Sequence, residues 1–139
     1  MQLTKKASYG LIAAVELARA PADTPRSAAW IADRYDLPVA FIEKILHQLR
    51  QAGLVASRQG RGGGYTLPVE ARRVSVRRVL EALGEGLDLV DCLGQATSCR
   101  LTGVCPTKDA WRTINDRFRE LLDRISLDDL RGGTTTLDD

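Results

Sequence analysis

Histidine is nearly absent from this chain of 139 residues: His47 is the only one. No Ser/His/Asp set and no catalytic pair of carboxylates stands out in the sequence. A cysteine nucleophile would need a base nearby, and His47 falls on a different predicted element from every cysteine. The sequence therefore predicts that the protein is not an enzyme.

Long hydrophobic runs are also missing. No apolar stretch reaches the roughly 20 residues that a membrane-spanning helix needs. The opening segment MQLTKKASYG has the character of an amphipathic helix and not of a targeting peptide. We therefore expect a cytoplasmic protein with no membrane partner, whose thiols stay reduced.

Cysteine is absent outside one short stretch, DCLGQATSCRLTGVCP, which holds Cys92, Cys99 and Cys105. The stretch is rich in Gly, Thr and Ser and has few bulky apolar residues, so it is not a packed core. Reduced thiols gathered in this way are the donors that a soft metal or an iron–sulfur cluster uses. The sequence predicts the sensing site of the protein here.

Charge is unevenly divided along the chain. Residues 1–80 hold thirteen Lys and Arg against six Asp and Glu, a net charge of +7, and residues 81–139 hold seven against twelve, a net charge of −5. A basic half is typical of a nucleic-acid-binding surface. We expect the N-terminal half to contact DNA and the acidic half to have another role.

Two short helices joined by a tight turn are predicted in the basic half. Ser27 is placed to cap the first, AAWIADRY, and the second covers residues 39–52 and ends at Gly53. One face of the second helix is apolar and the other polar. Together they form a helix-turn-helix pattern. The apolar face consists of Phe41, Ile42, Ile45, Leu46 and Leu49.

A β-hairpin is predicted directly after the second helix. Residues 54–58 and 65–67 have strand character, and GRGGG between them is a turn. A hairpin at this point is the wing of a winged helix, whose glycines and arginines suit a phosphate or a minor groove. A nucleotide-binding loop is disfavoured because no Lys-Ser/Thr pair and no helix follow the glycines.

The remaining chain is predicted to be helical on both sides of the cysteines. Ser75 is placed to cap a helix of two to three turns, and Pro106 opens a long amphipathic helix over about residues 107–126. Such a helix outside a complete winged helix is typical of dimerisation.

The predicted fold class is mainly α with a small β-hairpin wing. The predicted divisions are a winged helix-turn-helix over 1–84, a cysteine loop over 85–105, a dimerisation helix over 106–130 and a disordered tail over 131–139. The apolar stripe of the long helix is Trp111, Ile114, Phe118, Leu121, Leu122 and Ile125.

The chain resembles the iron–sulfur winged-helix regulators of bacteria, the IscR/NsrR/RirA-type repressors and activators. The segments MQLTKKASYGL, FIEKILHQLRQAGLV, GRGGGY and CPTKDAW carry the resemblance, which extends from residue 1 to about residue 130. It implies a homodimeric transcription regulator that binds a palindromic operator in double-stranded DNA. It also implies that Cys92, Cys99 and Cys105 hold an iron–sulfur cluster whose state alters DNA affinity.

The fourth ligand of such a cluster is left open by the sequence. In the [2Fe–2S] branch of the family a histidine follows the last cysteine by three residues, and here that position is Lys108, whose ammonium has no lone pair. Another branch takes a carboxylate from the N-terminal helix of the partner subunit, at a position that here is Ser8. Further oxygen donors are Asp91, Asp109 and Glu16. Whether the cluster is [2Fe–2S] or [4Fe–4S] therefore stays open.

Candidate DNA contacts divide into those to phosphates and those to bases. The phosphate candidates are Lys5, Lys6, Lys44, Arg50, Arg58 and Arg61. The base candidates are Val39, Ala40, Glu43, Lys44 and His47 in the first turns of the second helix. Glu43 is the sharpest of these, because a carboxylate accepts from cytosine N4 in the major groove.

In two alternative functions the protein still binds DNA, but the cysteines do not hold an iron–sulfur cluster. In one they bind zinc, although the spacing C-x6-C-x5-C is not that of a zinc ribbon. In the other they act as a thiol redox sensor. Iron with acid-labile sulfide would separate both alternatives from an iron–sulfur cluster.

Overall fold

The computed structural model describes residues 3–93, 101 and 103–133, and the side chain of Asp91 lies outside that description. Six α-helices and one two-stranded hairpin follow one another in these residues, which confirms the predicted mainly α fold with a β-hairpin. Two 3-10 turns, Ala71–Arg73 and Asp91–Leu93, connect them. The elements are α1 (Lys5–Arg19), α2 (Ala28–Tyr35), α3 (Val39–Gln51), β1 (Ala56–Arg58), β2 (Gly64–Thr66), α4 (Val76–Ala82), α5 (Lys108–Arg124) and α6 (Leu127–Arg131).

Serine side chains begin two of the helices, as predicted. Ser27 Oγ accepts a hydrogen bond from the Trp30 N–H at 3.0 Å, and Ser75 Oγ accepts one from the Arg78 N–H at 3.1 Å. Each satisfies a backbone donor that the first turn of a helix leaves without a partner. Gly53 follows α3 with a φ of +80°, the left-handed conformation expected of a residue that ends a helix.

The core lies between α1, α2, α3 and α4, and the apolar face of α3 is its centre. Ile42, Ile45, Leu46 and Leu49 are completely buried. Burial of each such side chain contributes about 1.5–3 kcal/mol to folding. Phe41 lies at the edge of this core, edge-to-face with Tyr9 of α1 at 5.6 Å between ring centroids. The core thus fixes α3 while leaving its polar face free.

The hairpin is shorter than predicted and is joined to the segment before α2. Its strands pair antiparallel from Ala56 opposite Thr66 to Arg58 opposite Gly64. Leu54, expected in the first strand, is buried in the core instead. Arg26 extends the ladder: its N–H donates to Tyr65 O at 3.0 Å, and the Tyr65 N–H donates to Arg26 O at 2.8 Å.

The long helix predicted over about 107–126 agrees with α5 to within two residues at each end, whereas the helical unit predicted over 106–130 is interrupted. Helix α5 ends at Arg124, and Ile125 is extended. The Val76 N–H donates to Ile125 O at 2.8 Å, and the Leu127 N–H donates to Val74 O at 2.9 Å, so the chain leaves the helix to pair with the residues before α4.

A second helix, α6, begins after this break. Ser126 and Asp129 form a capping box, which starts a new helix wherever the backbone turns. Helix α6 packs against α1, and Leu127 is completely buried in the main core. The predicted tail over 131–139 begins within this element, because α6 includes Arg131; residues 134–139 lie outside the description.

No helix in the described part of the chain is long and apolar enough to cross a membrane.

Candidate nucleic-acid interface and cysteine segment

An open cleft separates α3 from the hairpin. Its volume is about 530 Å³, and the first turn of α2 forms its third side. It brings together three candidate DNA contacts, Glu43, His47 and Arg58, with the hairpin glycines Gly60 and Gly63. The cleft is thus lined by the Glu43 carboxylate, the His47 imidazole and the Arg58 guanidinium. The neighbouring glycines have no side chain, so a phosphate can approach their backbone closely.

A second cavity, of about 440 Å³, lies at the N-terminal end of α3. It brings the candidates Lys5, Ala40 and Lys44 together over the paired rings of Tyr9 and Phe41. Two ammonium groups on an apolar floor form a positively charged recess on the same helix that lines the cleft. Both cavities therefore concentrate polar candidates along the exposed side of α3.

The other candidate DNA contacts lie apart from these two cavities. Val39 is exposed and lines a groove between α2 and α3. Lys6 is half-buried, while Arg50 and Arg61 are exposed at the end of α3 and at the hairpin tip. Arg58 also has an acidic neighbour, since its Nη2 lies 3.9 Å from Asp23 Oδ1. An exposed ion pair of this kind contributes little and is easily exchanged for another anion.

The cysteine segment, the predicted loop over residues 85–105, lies between α4 and α5. Cys92 is an exposed free thiol in the 3-10 turn Asp91–Leu93, and Cys105 is a half-buried free thiol just before α5. Cys99 lies outside the described residues. Cys105 Sγ is 3.4 Å from Thr107 Oγ1. The hydrogen bond with the Thr107 hydroxyl, then that with its backbone, lowers the pKa of the Cys105 thiol, and hydrogen bonding and charge at Lys108 act in the same direction.

The candidates for a fourth ligand are dispersed. Ser8 is exposed on α1. Asp109 is exposed in the first turn of α5, with its Oδ1 4.0 Å from Arg112 Nη1. The side chain of Asp91 lies outside the description. Among residues 3–93, 101 and 103–133, no three His, Cys, Asp or Glu side chains gather into a metal site, and the predicted cysteine set includes Cys99 beyond those ranges.

Glu16 is removed from the candidate ligands by its contacts. The side chain is buried, and Oε1 accepts hydrogen bonds from Arg19 at 3.2 Å and from the Tyr35 hydroxyl. Arg34 Nε lies 3.6 Å from the same oxygen. Burial of a carboxylate is costly without such partners, and these contacts join α1 to α2.

The donors that are described nevertheless fit a soft metal group. Thiolates bind iron–sulfur clusters, and an environment that lowers the pKa of Cys105 favours its thiolate form. Lys108, the first residue of α5, adds positive charge beside this thiol without donating a lone pair. Cys92 and Cys105 therefore supply sulfur donors of the type that such a group uses.

The apolar stripe of α5 is divided between two environments. Phe118, Leu122 and Ile125 pack against a small core formed with α4 and α1. Trp111, Ile114 and Leu121 remain 37%, 48% and 41% exposed. Single exposed apolar residues are ordinary, but three on one helix face form a patch that is typical of a protein–protein contact.

Sequence reasoning missed two polar side chains beside these surfaces. Asn115 is 2% exposed on α5, and its Oδ1 accepts a hydrogen bond from the Leu89 N–H at 2.6 Å. Arg26 lies over the ring of Trp30, with 4.1 Å from its Cζ to the ring centroid. Asn115 occupied a polar position beside an apolar stripe, and Arg26 stood in a turn segment, so neither had a periodic signal. A basic residue four positions before a tryptophan was the one available hint.

A helix-turn-helix followed by a hairpin wing, with polar groups along the exposed side of its second helix, defines a winged-helix transcription regulator. The model of the Rrf2 family, described as an iron-dependent transcriptional regulator, matches residues 3–132. The chain belongs to this family, which confirms the resemblance found in the sequence and the prediction that the protein is not an enzyme.

Individual relatives agree with this assignment. The chain is 34% identical over 138 residues to the HTH-type transcriptional regulator IscR of Pectobacterium carotovorum, covering 99% of this chain and 84% of the relative. The structure is similar to that of T. potens IscR, with a TM-score of 0.73 and 30% identity over 96% of this chain and 88% of the other. It is also similar to CymR, the global cysteine regulator of B. subtilis, with a TM-score of 0.79 and 28% identity over 96% and 98% of the two chains.

Proposed function

We propose that the chain acts as a homodimeric DNA-binding transcription regulator whose operator affinity is switched by an iron–sulfur cluster held by Cys92, Cys99 and Cys105. The observation that supports this most directly is the position of the cysteine segment. It connects the helix α4, which packs on the winged helix, to α5, which carries an exposed apolar face. In this proposal, a change in the cysteine segment acts between the DNA-binding unit and the proposed dimer contact.

DNA binding is assigned to α3 and the hairpin. Glu43 and His47 face the cleft from α3 and are proposed to contact base edges, with Val39 and Ala40 beside them in the first turn. The proposed phosphate contacts release counterions, so that affinity falls steeply with salt. These contacts are made by Lys5, Lys6, Lys44, Arg50, Arg58 and Arg61.

A second copy of the chain is the proposed partner of the exposed face of α5. Trp111, Ile114 and Leu121 supply an apolar patch on the part of the α5 stripe that the protomer's own core leaves exposed. A two-fold dimer through this face places two winged helices in symmetric positions. Its operator is then a palindrome with half-sites one helical turn, or a multiple of it, apart.

The cysteine segment is proposed to control the spacing of the two winged helices. A bound cluster supplies ligation of three thiolates, which orders the segment that carries them. The chain's own contacts then transmit that order: Asn115 and Arg119 of α5 bind Leu89 and Asp88 just before Cys92. The fourth ligand is proposed to be Ser8, Asp91 or Asp109.

The test is anaerobic purification followed by visible absorption and analysis of iron and acid-labile sulfide. We expect a coloured protein with about one cluster per protomer, and colour lost in Cys92→Ser, Cys99→Ser and Cys105→Ser. A protein that stays colourless after anaerobic reconstitution contradicts the cluster. Mössbauer spectra of Ser8→Ala and Asp109→Ala identify the cluster type and the fourth ligand together.

A thiol-based sensor is the second candidate. Two observations favour it: the lowered pKa of the Cys105 thiol and the likeness to CymR, a regulator of cysteine. In this case the metal-free protein binds DNA, and oxidation of the thiols changes that binding. Restoration of the original affinity by a reductant, in a sample without iron or sulfide, distinguishes this function from the first.

A further inference from the structure

We propose that Arg26 is a DNA-backbone contact, whose guanidinium is held ready for a phosphate by the ring of Trp30. The proposal rests on the DNA-binding function given above and extends it to a residue outside α3 and the hairpin. Three observations carry it: the stacking of Arg26 on Trp30, the lack of an anionic partner in the described protein, and the position of Arg26 beside the cleft.

The guanidinium of Arg26 lies over the ring of Trp30. Arg26 Cζ lies 4.1 Å from the centroid of the Trp30 ring, within the range of a cation–π contact. A planar guanidinium on an aromatic face loses little further freedom when it binds, because its fork is already oriented. Arg34 also approaches this ring, at 5.6 Å, but its Nε is 3.6 Å from the buried carboxylate of Glu16. Arg34 is therefore occupied within the protein.

Arg26 has no such partner among the described residues. In the part of the chain that the structure describes, no carboxylate lies within 4.0 Å of its guanidinium, and its buried Nε has no hydrogen-bond acceptor. The Nε itself is too buried for an external ligand to reach, but a guanidinium without an internal carboxylate satisfies its remaining donors best with an oxyanion. The stacked group is accordingly arranged for an anion that comes from outside these residues.

The backbone places Arg26 at the junction between the hairpin and α2. Its N–H and C=O both bond to Tyr65 of β2, at 3.0 and 2.8 Å. The next residues, Ser27, Ala28 and Ala29, line the cleft together with Glu43 and Arg58. We expect duplex DNA held by α3 and the hairpin to bring its sugar–phosphate backbone to this junction, because the residues that follow Arg26 form one side of the cleft.

Loss of a phosphate contact, unlike loss of a base contact, weakens DNA binding equally for every sequence. The test is therefore a salt titration of binding to a fluorescein-labelled duplex of random sequence. For Arg26→Ala we expect affinity to fall about 3-fold to 10-fold at moderate salt and the slope of log K against log salt to become shallower by about 0.9. Arg117→Ala, on the outer side of α5, is the matched control and keeps the wild-type slope.

Two further variants separate binding from folding. Arg26→Lys keeps the charge and loses the planar stack, so it retains the wild-type slope with a weaker affinity. Trp30→Leu alone weakens DNA binding. The double variant Arg26→Ala/Trp30→Leu binds DNA as tightly as Arg26→Ala alone, because the ring acts through the guanidinium.

An unchanged slope in Arg26→Ala overturns the proposal and leaves Arg26 as a structural residue of the hairpin junction. Equal losses in Arg26→Ala and in Arg26→Lys, together with a lowered midpoint of urea unfolding in both, overturn it as well. A wild-type protein without salt-dependent DNA binding contradicts the DNA-binding function itself, so the two failures are distinguishable.

Discussion

Asn115 of α5 accepts a hydrogen bond from the backbone N–H of Leu89, three residues before Cys92. One turn further along the helix, Arg119 pairs with Asp88. The chain that enters the cysteine segment is therefore attached to the helix that leaves it. These two contacts link the segment before Cys92 to α5, in addition to the covalent link through Cys105.

Removal of the Asn115 side chain is predicted to destabilise the protein. Asn115→Ala leaves the Leu89 N–H without its acceptor, at a cost of about 1–3 kcal/mol in the free energy of unfolding. The measurement is urea unfolding at fixed protomer concentration. Asp116→Ala, the exposed neighbour, is the control and changes stability by less than about 0.5 kcal/mol. Equal effects in the two variants would show that the hydrogen bond is unimportant.

A charge on the exposed face of α5 is predicted to separate the dimer. Ile114→Asp places a carboxylate in the proposed apolar contact, and burial of an unpaired charge weakens association by at least about 100-fold. Analytical ultracentrifugation then shows monomers at concentrations where the wild-type protein is dimeric. Arg112→Asp puts a carboxylate on an exposed position about 160° around the helix from Ile114 and leaves the dimer intact. Dimers of unchanged affinity in Ile114→Asp place the subunit contact elsewhere.

Thr107 is predicted to control the reactivity of Cys105. Its hydroxyl is the first cause of the lowered pKa of this thiol, so Thr107→Val raises the pKa and reduces the thiolate fraction at neutral pH. Alkylation of Cys105 by iodoacetamide in metal-free protein becomes slower, and the difference disappears as the pH rises above both pKa values. Peptide mass spectrometry follows Cys105, with Cys92 in the same sample as the internal control. A rate independent of residue 107 refutes this role.

The hairpin is predicted to be intolerant of a side chain at Gly64. A Cβ on this residue would lie 2.6 Å from the carbonyl carbon of Arg26 and 2.9 Å from the Ser27 nitrogen, and backbone at this distance cannot move aside. Gly64→Ala therefore breaks the pairing of Arg26 with Tyr65 and weakens DNA binding. Hydrogen exchange of the Tyr65 amide measures the loss. Gly62→Asn is the control, because Gly62 has open space around it and asparagine tolerates its positive φ.

Leu127 is predicted to be part of the main core even though it follows the long helix. Leu127→Ala creates a cavity and lowers the free energy of unfolding by about 2–5 kcal/mol. Val69→Ala, at an exposed loop position, has an effect below about 0.5 kcal/mol. Urea unfolding compares the two. A small effect of Leu127→Ala would mean that α6 is detached from α1 in solution.

Local patterns in the sequence were sufficient for the DNA-binding half of the fold. The period of Ile42, Ile45 and Leu49 along α3 identified its buried face, because apolar spacing depends on helix geometry alone. Ser27 and Gly53 identified helix ends through side-chain and backbone preferences that act within a few residues. The order of helix, turn, helix and hairpin followed from these signals.

The break after Arg124 could not be predicted in the same way. The stripe of α5 continues in register through Ile125, and the capping box at Ser126 competes with it locally. The helix ends after Arg124 because the backbone of residues 125–127 bonds to the backbone of residues 74–76. These segments lie about 50 residues apart in the chain, so the contact between them cannot be recognised from the spacing of apolar residues within either one.

The sequence by itself determined the class of protein, the winged helix, and the residue types available for a thiolate site, because these depend on local periodicity and on side-chain chemistry. Only the tertiary structure decided which apolar residues of α5 are left uncovered, that Glu16 is paired with Arg19 and Arg34, and that Arg26 lies over the ring of Trp30 beside the cleft. Each of these depends on which groups meet in space. Burial and pairing are properties of the assembled chain, whereas periodicity and donor chemistry belong to its residues.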